Sequence, residues 1–495
     1  MRSEADPSMD LLARLAGRGV VPLGVSDDSR QLRAGDLFLA YPGDLADGRR
    51  YIGEAIAAGA VAVLWEPGSE QAAFAWNDTW QVANLPVAGL RQFRGALAHA
   101  VYGRPSERLS VIAITGTNGK TSISQWIAQA HPRCCASIGT LGAGLPGQLV
   151  DTGLTTPEAT TLARCLADFA DREVQACALE ASSIGIAEGR LDGCRLDVAV
   201  FTNLTRDHLD YHGSMAEYAQ AKAKLFTWPR LRLAVINLDQ AFGRELAALT
   251  TASKVVAYTQ QGNDGGRQGT LHAEDVEQTT DGLRFRLRAP SGRALVETSL
   301  VGSYNVANLL AVAAVLIDTG LTPKEVAERL ARLTSPAGRL EKIGGVNEPL
   351  VVVDYAHTPD ALDNALRALR PLAAARGAAL VVIFGCGGDR DRGKRPLMGA
   401  AAARLADRVV LTNDNPRSED EQQILAAIRA GAPDAEVIAD RAQAIRRTLL
   451  AAHPADVILI AGKGHEAYQE AGGVRRPFSD AAEARAALAA RQASA

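Results

Sequence analysis

The sequence predicts an α/β protein built of three domains. The chain has 495 residues, which is too many for a single hydrophobic core. Short apolar segments rich in branched residues alternate with segments of helical pattern, as they do where helices connect parallel strands. Breaks rich in glycine and proline at 103–106 and 336–339 separate three such regions. We therefore expect domains over residues 1–104, 105–337 and 338–495.

The composition is that of a globular protein of a reducing compartment. Hydrophobic residues make up 47% of the chain and charged residues 22%, and the net charge of −3 offers no basic excess for nucleic acid. The six cysteines show no CxxC pair and no metal-ligand spacing, so we expect buried thiols rather than disulfides. Met1–Asp10 lacks the pattern of a signal peptide, and the longest apolar run, Leu309–Ile317, is too short for membrane insertion. We expect a cytosolic protein.

The first region, 1–104, has the pattern of a small α/β domain. Asp36–Ala40 and Val61–Trp65 are predicted strands, and a helix is predicted between them at Tyr51–Ala58. Arg91–Tyr102 is predicted to be the closing helix. Two polar turns, at 27–30 and 43–50, are by themselves typical of solvated loops.

A predicted phosphate-binding loop opens the second region. Leu109–Thr115 has the branched apolar composition of a buried parallel strand, and Ser122–Ala130 has a helical pattern. Between them the chain reads Gly116-Thr117-Asn118-Gly119-Lys120-Thr121. Such a turn presents backbone N–H groups and the positive end of a helix dipole to a phosphate. Lys120 can then reach the outer phosphates and the Thr121 hydroxyl can hold magnesium, although only two residues separate the glycines instead of the usual four.

Three further strands are predicted in this region, at Val174–Glu180, Leu196–Asn203 and Leu231–Asn237. Because ligands of open α/β sheets collect at the strand ends, Glu180 is a candidate there. His208 follows the next strand and could face the same phosphate, although a loop histidine bonded to backbone is the ordinary alternative. We expect Thr121, Glu180 and His208 to hold magnesium on the ATP phosphates.

The end of the second region contains antiparallel strands and a long helix. Between 283 and 288, apolar residues alternate with arginines, which predicts a half-exposed antiparallel strand, and Asp281-Gly282 suits a hairpin. The segment 302–308 opens a helix that runs to Asp318. Asn305 and Asn308 share one face of that helix, where they could bind a base or sugar or simply cap the helix.

The third region repeats a strand–loop–helix pattern. Its predicted strands are Leu350–Val353, Leu380–Phe384, Arg408–Thr412 and Val457–Ile460. Polar or glycine-bearing loops follow them at 354–360, 385–390, 413–417 and 462–466, and in a parallel sheet these four loops lie at one edge. The pattern therefore predicts a second binding surface. Ser479–Ala495 is expected to be a structural helix.

Six motifs in this order resemble the Mur ligase family, the ATP-dependent amino-acid ligases of peptidoglycan precursor synthesis. They are GTNGKT, EASS, NLTRDHLDYH, YxxAKxxLF over Tyr218–Phe226, GSYNVAN and DYAHTPD. The similarity extends from Asp28-Ser29-Arg30 to the segment 462–466. The resemblance implies a UDP-binding N-terminal domain, a central P-loop ATPase-like domain with a parallel sheet and added antiparallel strands, and a Rossmann-like C-terminal domain that binds the amino acid.

The resemblance also implies roles for individual residues. ATP would contact Gly116 to Thr121, Ser122, Asn305, Arg339 and Asp354. The UDP-N-acetylmuramoyl-L-alanyl-D-glutamate substrate would contact Ser29, Gly43, Asp44, Leu45, Ala46, Thr155, Thr156, Ser182 and Arg190. Lys222 would carry a carbamate derived from CO₂ and join the magnesium ligands, whereas Lys224 is expected to be a surface lysine. The catalytic set would be Lys120, Glu180, His208 and Lys222, in an enzyme expected to be a monomer.

The amino acid implied by the resemblance is meso-diaminopimelate, because Asp414-Asn415-Pro416-Arg417 matches members that add it. Arg390 and Arg417 would bind carboxylates, and Gly462 and Glu466 would make backbone and ammonium contacts. Arg390 and Arg417 could instead belong to a solvated charge run, which is the role expected of Arg392. A P-loop kinase, a folylpolyglutamate synthetase and a non-catalytic nucleotide-binding regulator are the competing classes. Each of them leaves part of the motif set unexplained.

Overall fold

The computed structural model describes residues 7–44, 46–68, 74–262, 264–280, 282–345 and 347–493. The chain forms two compact units, Met1–Ala257 and Tyr258–Ala495. The boundary between them falls inside the second predicted domain. The division into three domains therefore stays a prediction, and each unit is described by itself below.

The first unit begins with a small parallel sheet covered by helices. Its elements are α1 (Pro7–Ala16), β1 (Gly24–Ser26), β2 (Asp36–Ala40), α2 (Ile52–Ala57), β3 (Ala62–Trp65), β4 (Ala83–Pro86) and α3 (Leu90–Val101). The four strands pair in chain order and all run parallel. The residues of β2 and β3 are all buried, because helices cover the sheet.

A larger sheet forms the rest of the first unit. Its elements are β5 (Ser110–Thr115), α4 (Lys120–Ala130), β6 (Cys135–Gly139), β7 (Gly142–Leu145), β8 (Gln148–Val150), α5 (Ala159–Asp171), β9 (Ala176–Glu180), α6 (Ser183–Ala187), β10 (Val198–Phe201), α7 (Leu209–His212), α8 (Met215–Ala223), β11 (Leu233–Asn237) and α9 (Ala241–Leu249). The strand order is β11-β10-β5-β9-β6-β7-β8. The first five of these strands are parallel, and β7 and β8 extend the edge as an antiparallel hairpin. Strand β5 is therefore central, and the loop that follows it lies between the ends of β9 and β10.

The boundary between the units lies within β12 (Lys254–Thr259). The second unit continues with β13 (Leu271–Gln278), β14 (Leu283–Ala289), β15 (Gly292–Thr298), α10 (Tyr304–Asp318) and α11 (Pro323–Leu330). Strands β13 to β15 are antiparallel, and along β14 buried residues alternate with arginines as predicted. Helix α10 is apolar on nearly all sides and is almost entirely buried.

The C-terminal sheet completes the second unit. Its elements are β16 (Glu341–Gly344), β17 (Leu350–Asp354), α12 (Pro359–Ala375), β18 (Leu380–Phe384), α13 (Lys394–Leu405), β19 (Arg408–Leu411), α14 (Glu421–Arg429), β20 (Glu436–Val437), α15 (Arg441–Ala451), β21 (Val457–Ala461), β22 (Tyr468–Ala471), β23 (Val474–Pro477) and α16 (Asp480–Gln492). The sheet order is β16-β17-β21-β18-β19-β20, with only β16 antiparallel, and β22 and β23 form a separate hairpin. The loops after β17, β18, β19 and β21 consequently share one edge.

The predicted α/β class and the predicted strands and helices are confirmed within a few residues at their ends. Strands β1, β4, β6 to β8, β12, β15, β16, β20, β22 and β23 were not predicted, and most of them are short or rich in glycine or polar residues. The proposed Asp281-Gly282 turn includes Asp281, which lies outside the described residues. All six cysteines are free thiols and four are buried, but Cys134 is exposed and Cys165 is half-buried. Within the described part of the chain, no helix has the length and apolar character needed to cross a membrane.

Candidate active site

The phosphate loop is held against the end of β10 by a set of hydrogen bonds. The backbone N–H of Asn118 donates to Asn203 Oδ1 at 2.9 Å, and the Thr202 hydroxyl donates to the Asn118 carbonyl at 2.6 Å. Gly116 must be glycine, because a Cβ there would lie 1.8 Å from Thr202 Oγ1. Gly119 has a φ of +89° and is the N-cap of α4. These contacts hold the loop against β10, and the first turn of α4 follows it directly, as a phosphate site requires.

Lys120 and Lys222 lie at the base of this loop. The ammonium of Lys120 donates to the carbonyls of Gly116 and Thr117, both at 2.9 Å, and Lys222 donates to Gly116 at 3.1 Å. Lys222 is 1% exposed and its Nζ lies 4.3 Å from the centre of the Tyr218 ring. Burial, and then the charge of Lys120, hold the pKa of Lys222 well below its ordinary value. Lys222 is therefore a buried lysine whose charged form is disfavoured, and not a surface residue.

Glu180 lies at the end of β9, beside the start of α4, and is fully buried. Its carboxylate accepts the Thr121 hydroxyl at 3.0 Å. It also accepts the backbone N–H of Thr140 at 3.0 Å and the Thr140 hydroxyl at 3.2 Å. Gly139 makes room for it, since a Cβ there would lie 2.0 Å from Glu180 Oε1. The carboxylate is fixed in one orientation next to the phosphate loop.

His208 lies on the other side of the loop and is exposed. It has a φ of +52°, and its Nε2 lies 3.5 Å from Asp207 Oδ2. Its ring centre is 6.2 Å from that of Tyr218, whose hydroxyl lies 3.1 Å from the Thr117 hydroxyl. Desolvation raises the pKa of Tyr218 to about 12, so it stays protonated. Tyr218 thus contacts His208, Lys222 and the phosphate-loop residue Thr117.

A second cluster of proposed site residues adjoins Glu180. The Thr140 and Thr155 hydroxyls lie 3.0 Å apart. Thr156 donates to the Glu180 carbonyl at 2.8 Å and accepts the backbone N–H of Ser182 at 2.9 Å. Arg190 donates to the Thr156 carbonyl at 2.8 Å, and its guanidinium is paired with Glu188 at 2.6 Å. The structure thereby brings together Thr155, Thr156, Ser182 and Arg190, four residues proposed for the acyl substrate.

The two polar turns of the small sheet hold the remaining residues proposed for this substrate. Ser29 lies in a short 3₁₀ helix and its hydroxyl approaches Glu54 at 3.4 Å. The Gly43 N–H donates to the Ala46 carbonyl at 2.9 Å, which closes the second turn. Asp44 forms an ion pair with Arg91 of α3. Leu45 lies outside the described residues.

In the second unit, three residues proposed for the nucleotide lie on α10 and β17 and just before β16. Asn305 donates to the Val301 carbonyl at 2.7 Å and accepts from Asn308 at 2.9 Å, so the two amides form one buried pair. Asp354 accepts the backbone N–H of Leu340 at 2.8 Å. The guanidinium carbon of Arg339 lies 4.9 Å from the centre of the Tyr355 ring.

The loops after β18, β19 and β21 are joined by direct contacts. Arg417 has a φ of +51° and donates to the Gly388 carbonyl at 2.6 Å. Asn415 donates to Glu466 at 2.8 Å and accepts the Lys463 ammonium at 2.9 Å. All of the residues proposed to bind the amino acid lie at this edge of the sheet. They are Arg390, Asp414, Asn415, Pro416, Arg417, Gly462 and Glu466. Arg390 is exposed.

The chain matches three domain families along most of its length. Residues 24–102 match the Mur ligase family catalytic domain, 114–316 the Mur ligase middle domain, and 338–464 the Mur ligase glutamate ligase domain. A protein of Ectopseudomonas mendocina named UDP-N-acetylmuramoyl-L-alanyl-D-glutamate--2,6-diaminopimelate ligase is 48% identical over 97% of this chain and 98% of its own. A protein of the same name from Ralstonia nicotianae is 49% identical over 96% of this chain and 95% of its own. The chain belongs to the Mur ligase family.

Solved structures agree with this membership. One ligase structure of the same name is 37% identical, covers 95% of both chains and has a TM-score of 0.69. A folylpolyglutamate synthase of Mycobacterium tuberculosis covers 75% of this chain at 22% identity and a TM-score of 0.59, which shows a shared fold. As a Mur ligase the protein is an ATP-dependent ligase that forms amide bonds. The kinase and regulator alternatives are thereby excluded.

The Mur ligase site contains donors that suit magnesium. Glu180 and Thr121 present oxygen atoms to one point beside the phosphate loop, and Mg²⁺ prefers such hard donors. Among the described residues, no group of three or more histidine, cysteine or acidic side chains could hold a metal without the nucleotide. Mg²⁺ is usually bound through one or two carboxylates together with substrate phosphates. Lys222 fits as a ligand only after conversion to an anion.

Three residues in contact with the site were not singled out from the sequence. Thr140 follows a glycine-rich strand and has no motif of its own, so only its hydrogen bonds to Glu180 reveal it. Tyr218 was included in a motif without a role, yet it contacts both Lys222 and Thr117. Lys463 is 0% exposed and bonds to both Asn415 and Glu466.

Proposed function

We propose that this Mur ligase adds meso-diaminopimelate to UDP-N-acetylmuramoyl-L-alanyl-D-glutamate with hydrolysis of ATP to ADP and phosphate. The observation that carries the proposal is the contact between the phosphate-loop side and the acyl-substrate side of the site. Glu180 bonds to Thr121 through its carboxylate and to Thr156 through its carbonyl, so a terminal phosphate and an acyl carboxylate would bind next to each other. Relatives with matching names are 48–49% identical over nearly the whole chain.

The reaction follows from the need for a leaving group. A free carboxylate does not form an amide readily, because the group that would leave is oxide or hydroxide. A carboxylate oxygen therefore attacks the terminal phosphorus of ATP, the bond to ADP breaks, and an acyl phosphate forms. The amine then attacks the acyl carbon, the tetrahedral intermediate expels phosphate, and the nitrogen loses a proton. No nucleophilic side chain takes part, so the enzyme acts by positioning and by electrostatic stabilisation.

The residues of the phosphate loop would stabilise the charge that moves during the first step. Lys120 would release the carbonyls of Gly116 and Thr117 and neutralise the outer phosphates. The backbone N–H groups at the start of α4 would face the same phosphates. Asn305, Arg339 and Asp354 would bind the adenine and ribose side of ATP. The three predicted domains, with boundaries after residues 104 and 337, belong to this proposal.

Magnesium would be held by Thr121, Glu180, His208 and Lys222. Bound there, Mg²⁺ would supply charge neutralisation at the transferring phosphoryl group. The uncharged form of the Lys222 amine, which burial favours, can attack CO₂ and lose a proton, which produces a carbamate with one negative charge shared by two oxygens. The side chain then carries a negative charge, which suits a cation site. The carbamate and the magnesium site are proposals that the Lys222 burial and the Glu180 contacts support.

The amino acid would be selected by the loops after β18, β19 and β21. Meso-diaminopimelate differs from lysine by a carboxylate at the end of its side chain. A guanidinium binds a carboxylate through two parallel hydrogen bonds, and Arg417 is held in a fixed backbone conformation beside Gly388. Arg390 would bind another carboxylate, and Gly462 and Glu466 would contact the backbone and ammonium groups. Asp414, Asn415 and Pro416 would shape the loop.

The deciding experiment measures phosphate release by the purified protein with ATP, magnesium and UDP-N-acetylmuramoyl dipeptide. Each candidate amino acid is added in turn, and one series contains folate and glutamate in place of the dipeptide. We expect phosphate release that depends on both the dipeptide and meso-diaminopimelate. Release with L-lysine at the same efficiency would overturn the assignment of the amino acid, and release only with folate would overturn the assignment of the acyl substrate.

A further inference from the structure

A fully buried ion pair lies behind the amino-acid loops. Arg441, the first residue of α15, donates to Asp480, the first residue of α16, through Nε at 2.7 Å and Nη2 at 2.8 Å. Both side chains are 0% exposed. No step of the proposed reaction uses this pair, and the sequence pattern of α16 suggested only a structural helix.

The remaining donors of Arg441 are directed at two backbone carbonyls. Its Nη2 also donates to Ala461 at 2.9 Å, and its Nη1 donates to Asn413 at 3.3 Å. Ala461 is the last residue of β21 and precedes Gly462. Asn413 follows β19 and precedes Asp414. One guanidinium thus holds the starting points of both loops that carry the proposed amino-acid site.

The charges around Arg441 belong to the same loops. Burial lowers the pKa of Arg441, but the charges of Asp480, Asp414 and Glu466 outweigh this effect and the pKa is raised. The loops are also closely packed, since a Cβ on Gly462 would lie 2.6 Å from Asp414 Oδ2. A shift of Arg441 would therefore displace both loops together.

Stability alone does not account for this pair. A buried ion pair adds little to the free energy of unfolding compared with well-packed apolar residues of similar volume. Replacement of buried pairs by apolar residues is often neutral or stabilising. Arg441 also stands at a helix N-terminus, where the dipole disfavours a cation. Bidentate pairing with Asp480 fixes the guanidinium in one plane, which is what positioning two carbonyls requires.

We propose that Arg441 and Asp480 are positioning residues that set the distance between the loops at 413–417 and 462–466, and thereby the fit of the amino-acid substrate. The proposal rests on the proposed function for the identity of the site. Helix α16 then supports the position of the amino-acid loops through Asp480, in addition to packing against the sheet.

The test compares the parent with the double variant Arg441→Met, Asp480→Leu in the full-length protein. We expect the melting temperature to change little, because the apolar side chains fill the same space. The KM for meso-diaminopimelate should rise about tenfold or more, since small misplacements of binding groups are costly. The KM values for ATP and for the UDP-linked dipeptide should stay within about twofold. An unchanged KM for the amino acid, or an equal rise in all three, would overturn the proposal.

A matched control is available on the same two helices. Arg491 of α16 donates to the carbonyls of Leu449 and Leu450 at 3.0 and 3.1 Å, at the opposite end of α15 from the loops. Arg491→Met removes a link between α15 and α16 without touching the loops, and it should leave all three KM values unchanged. A rise in the amino-acid KM in this control equal to that of the double variant would show general loosening and would overturn the proposal.

Hydrogen exchange tests the positioning role of Arg441 and Asp480 independently of the proposed function. Amides of 413–417 and 462–466 should exchange faster in the double variant than in the parent, and at the parent rate in Arg491→Met. This readout needs no substrate, so it holds even if the parent uses another amino acid. If the double variant does not fold, Asp480→Asn supplies the same comparison, because it keeps the volume and removes the charge. Parent-like exchange in whichever variant folds would contradict a positioning role.

Discussion

Lys120 and Lys222 donate hydrogen bonds to the same acceptor, the carbonyl oxygen of Gly116, at 2.9 and 3.1 Å. Two ammonium groups on one carbonyl would repel each other strongly where water is scarce. Burial, and then the charge of Lys120, disfavour the charged form of Lys222 and lower its pKa. The phosphate loop therefore places two lysines on one carbonyl, and only Lys222 has a lowered pKa.

The first prediction concerns Lys222. Lys222→Ala should lose activity on the order of a hundredfold or more, because a preorganised group at the phosphoryl site is removed. Small carboxylates such as acetate should restore part of the rate, since they would replace the oxygens of the carbamate. The measurement is phosphate release with and without added carboxylate. Lys224→Ala, at an exposed position two residues further on, is the control and should behave as the parent. Full activity of Lys222→Ala would contradict the carbamate.

The second prediction concerns Glu180. Glu180→Ala removes a buried carboxylate next to Thr121, at the point where negative charge must be stabilised. We expect a rate loss on the order of a hundredfold or more at ordinary magnesium concentration. Glu180→Gln should retain the fold, because the amide fills the same volume, and should require more magnesium for its remaining activity. Near-parent turnover of Glu180→Ala would remove this residue from the metal site.

The third prediction concerns Thr140, which donates twice to Glu180. Thr140→Val keeps the backbone N–H donor and the shape of the side chain but removes the hydroxyl. We expect Glu180 to lose part of its orientation and the rate to fall about tenfold, with an increased magnesium requirement. Thr140→Ser restores the hydroxyl and should recover most of the rate. If valine and serine variants were equally active, the hydroxyl would have no role in orienting the carboxylate.

The fourth prediction concerns the choice of amino acid. Lysine in the pocket would leave the guanidinium of Arg417 without a carboxylate partner. This would make binding less favourable by roughly 2–5 kcal/mol. The parent should therefore prefer meso-diaminopimelate over L-lysine in kcat/KM by more than about tenfold. Arg417→Ala should lose most of that preference. Arg392→Ala is the matched control, because Arg392 is 75% exposed and pairs only with Glu419 among the described residues. Full preference in Arg417→Ala would assign the role to another residue.

The fifth prediction concerns the pH dependence of stability. His99 is 1% exposed, and burial lowers its pKa from 6.5 to about 4. Between these values the unfolded chain binds a proton that the folded protein does not, so stability falls as the pH decreases from about 6.5 to about 4. The full decrease in the free energy of unfolding is about 3 kcal/mol, since each pKa unit corresponds to about 1.36 kcal/mol.

His99→Gln should remove this part of the pH dependence. Urea unfolding of the parent and the variant at pH 7.5 and at pH 4.5 provides the comparison. The difference in unfolding free energy between the two pH values should be smaller in the variant. An equal pH dependence in both proteins would show that His99 takes up a proton in the folded state.

The phosphate loop and the longer buried parallel strands could be predicted from the sequence because they depend on neighbouring residues. A strand, two glycines and a lysine follow one another in 110–120, and the alternation of apolar residues with arginines in β14 shows directly which face is buried. The four loops at the edge of the C-terminal sheet were predicted for the same reason, since each follows an apolar strand.

The contacts that give the site its shape depend on residues far apart in the chain. Thr140 and Glu180 are 40 positions apart, Arg441 and Asp480 are 39 apart, and Asn415 and Lys463 are 48 apart. Hydrophobic periodicity specifies that a face is buried but not which distant side chain meets it. Thr140 follows a glycine-containing strand and Asp480 begins an alanine-rich helix. Neither has a local sequence pattern that indicates its partner. Only the packing of the sheets brings these groups within hydrogen-bonding distance, and that packing decides which carboxylate is oriented and which lysine is buried.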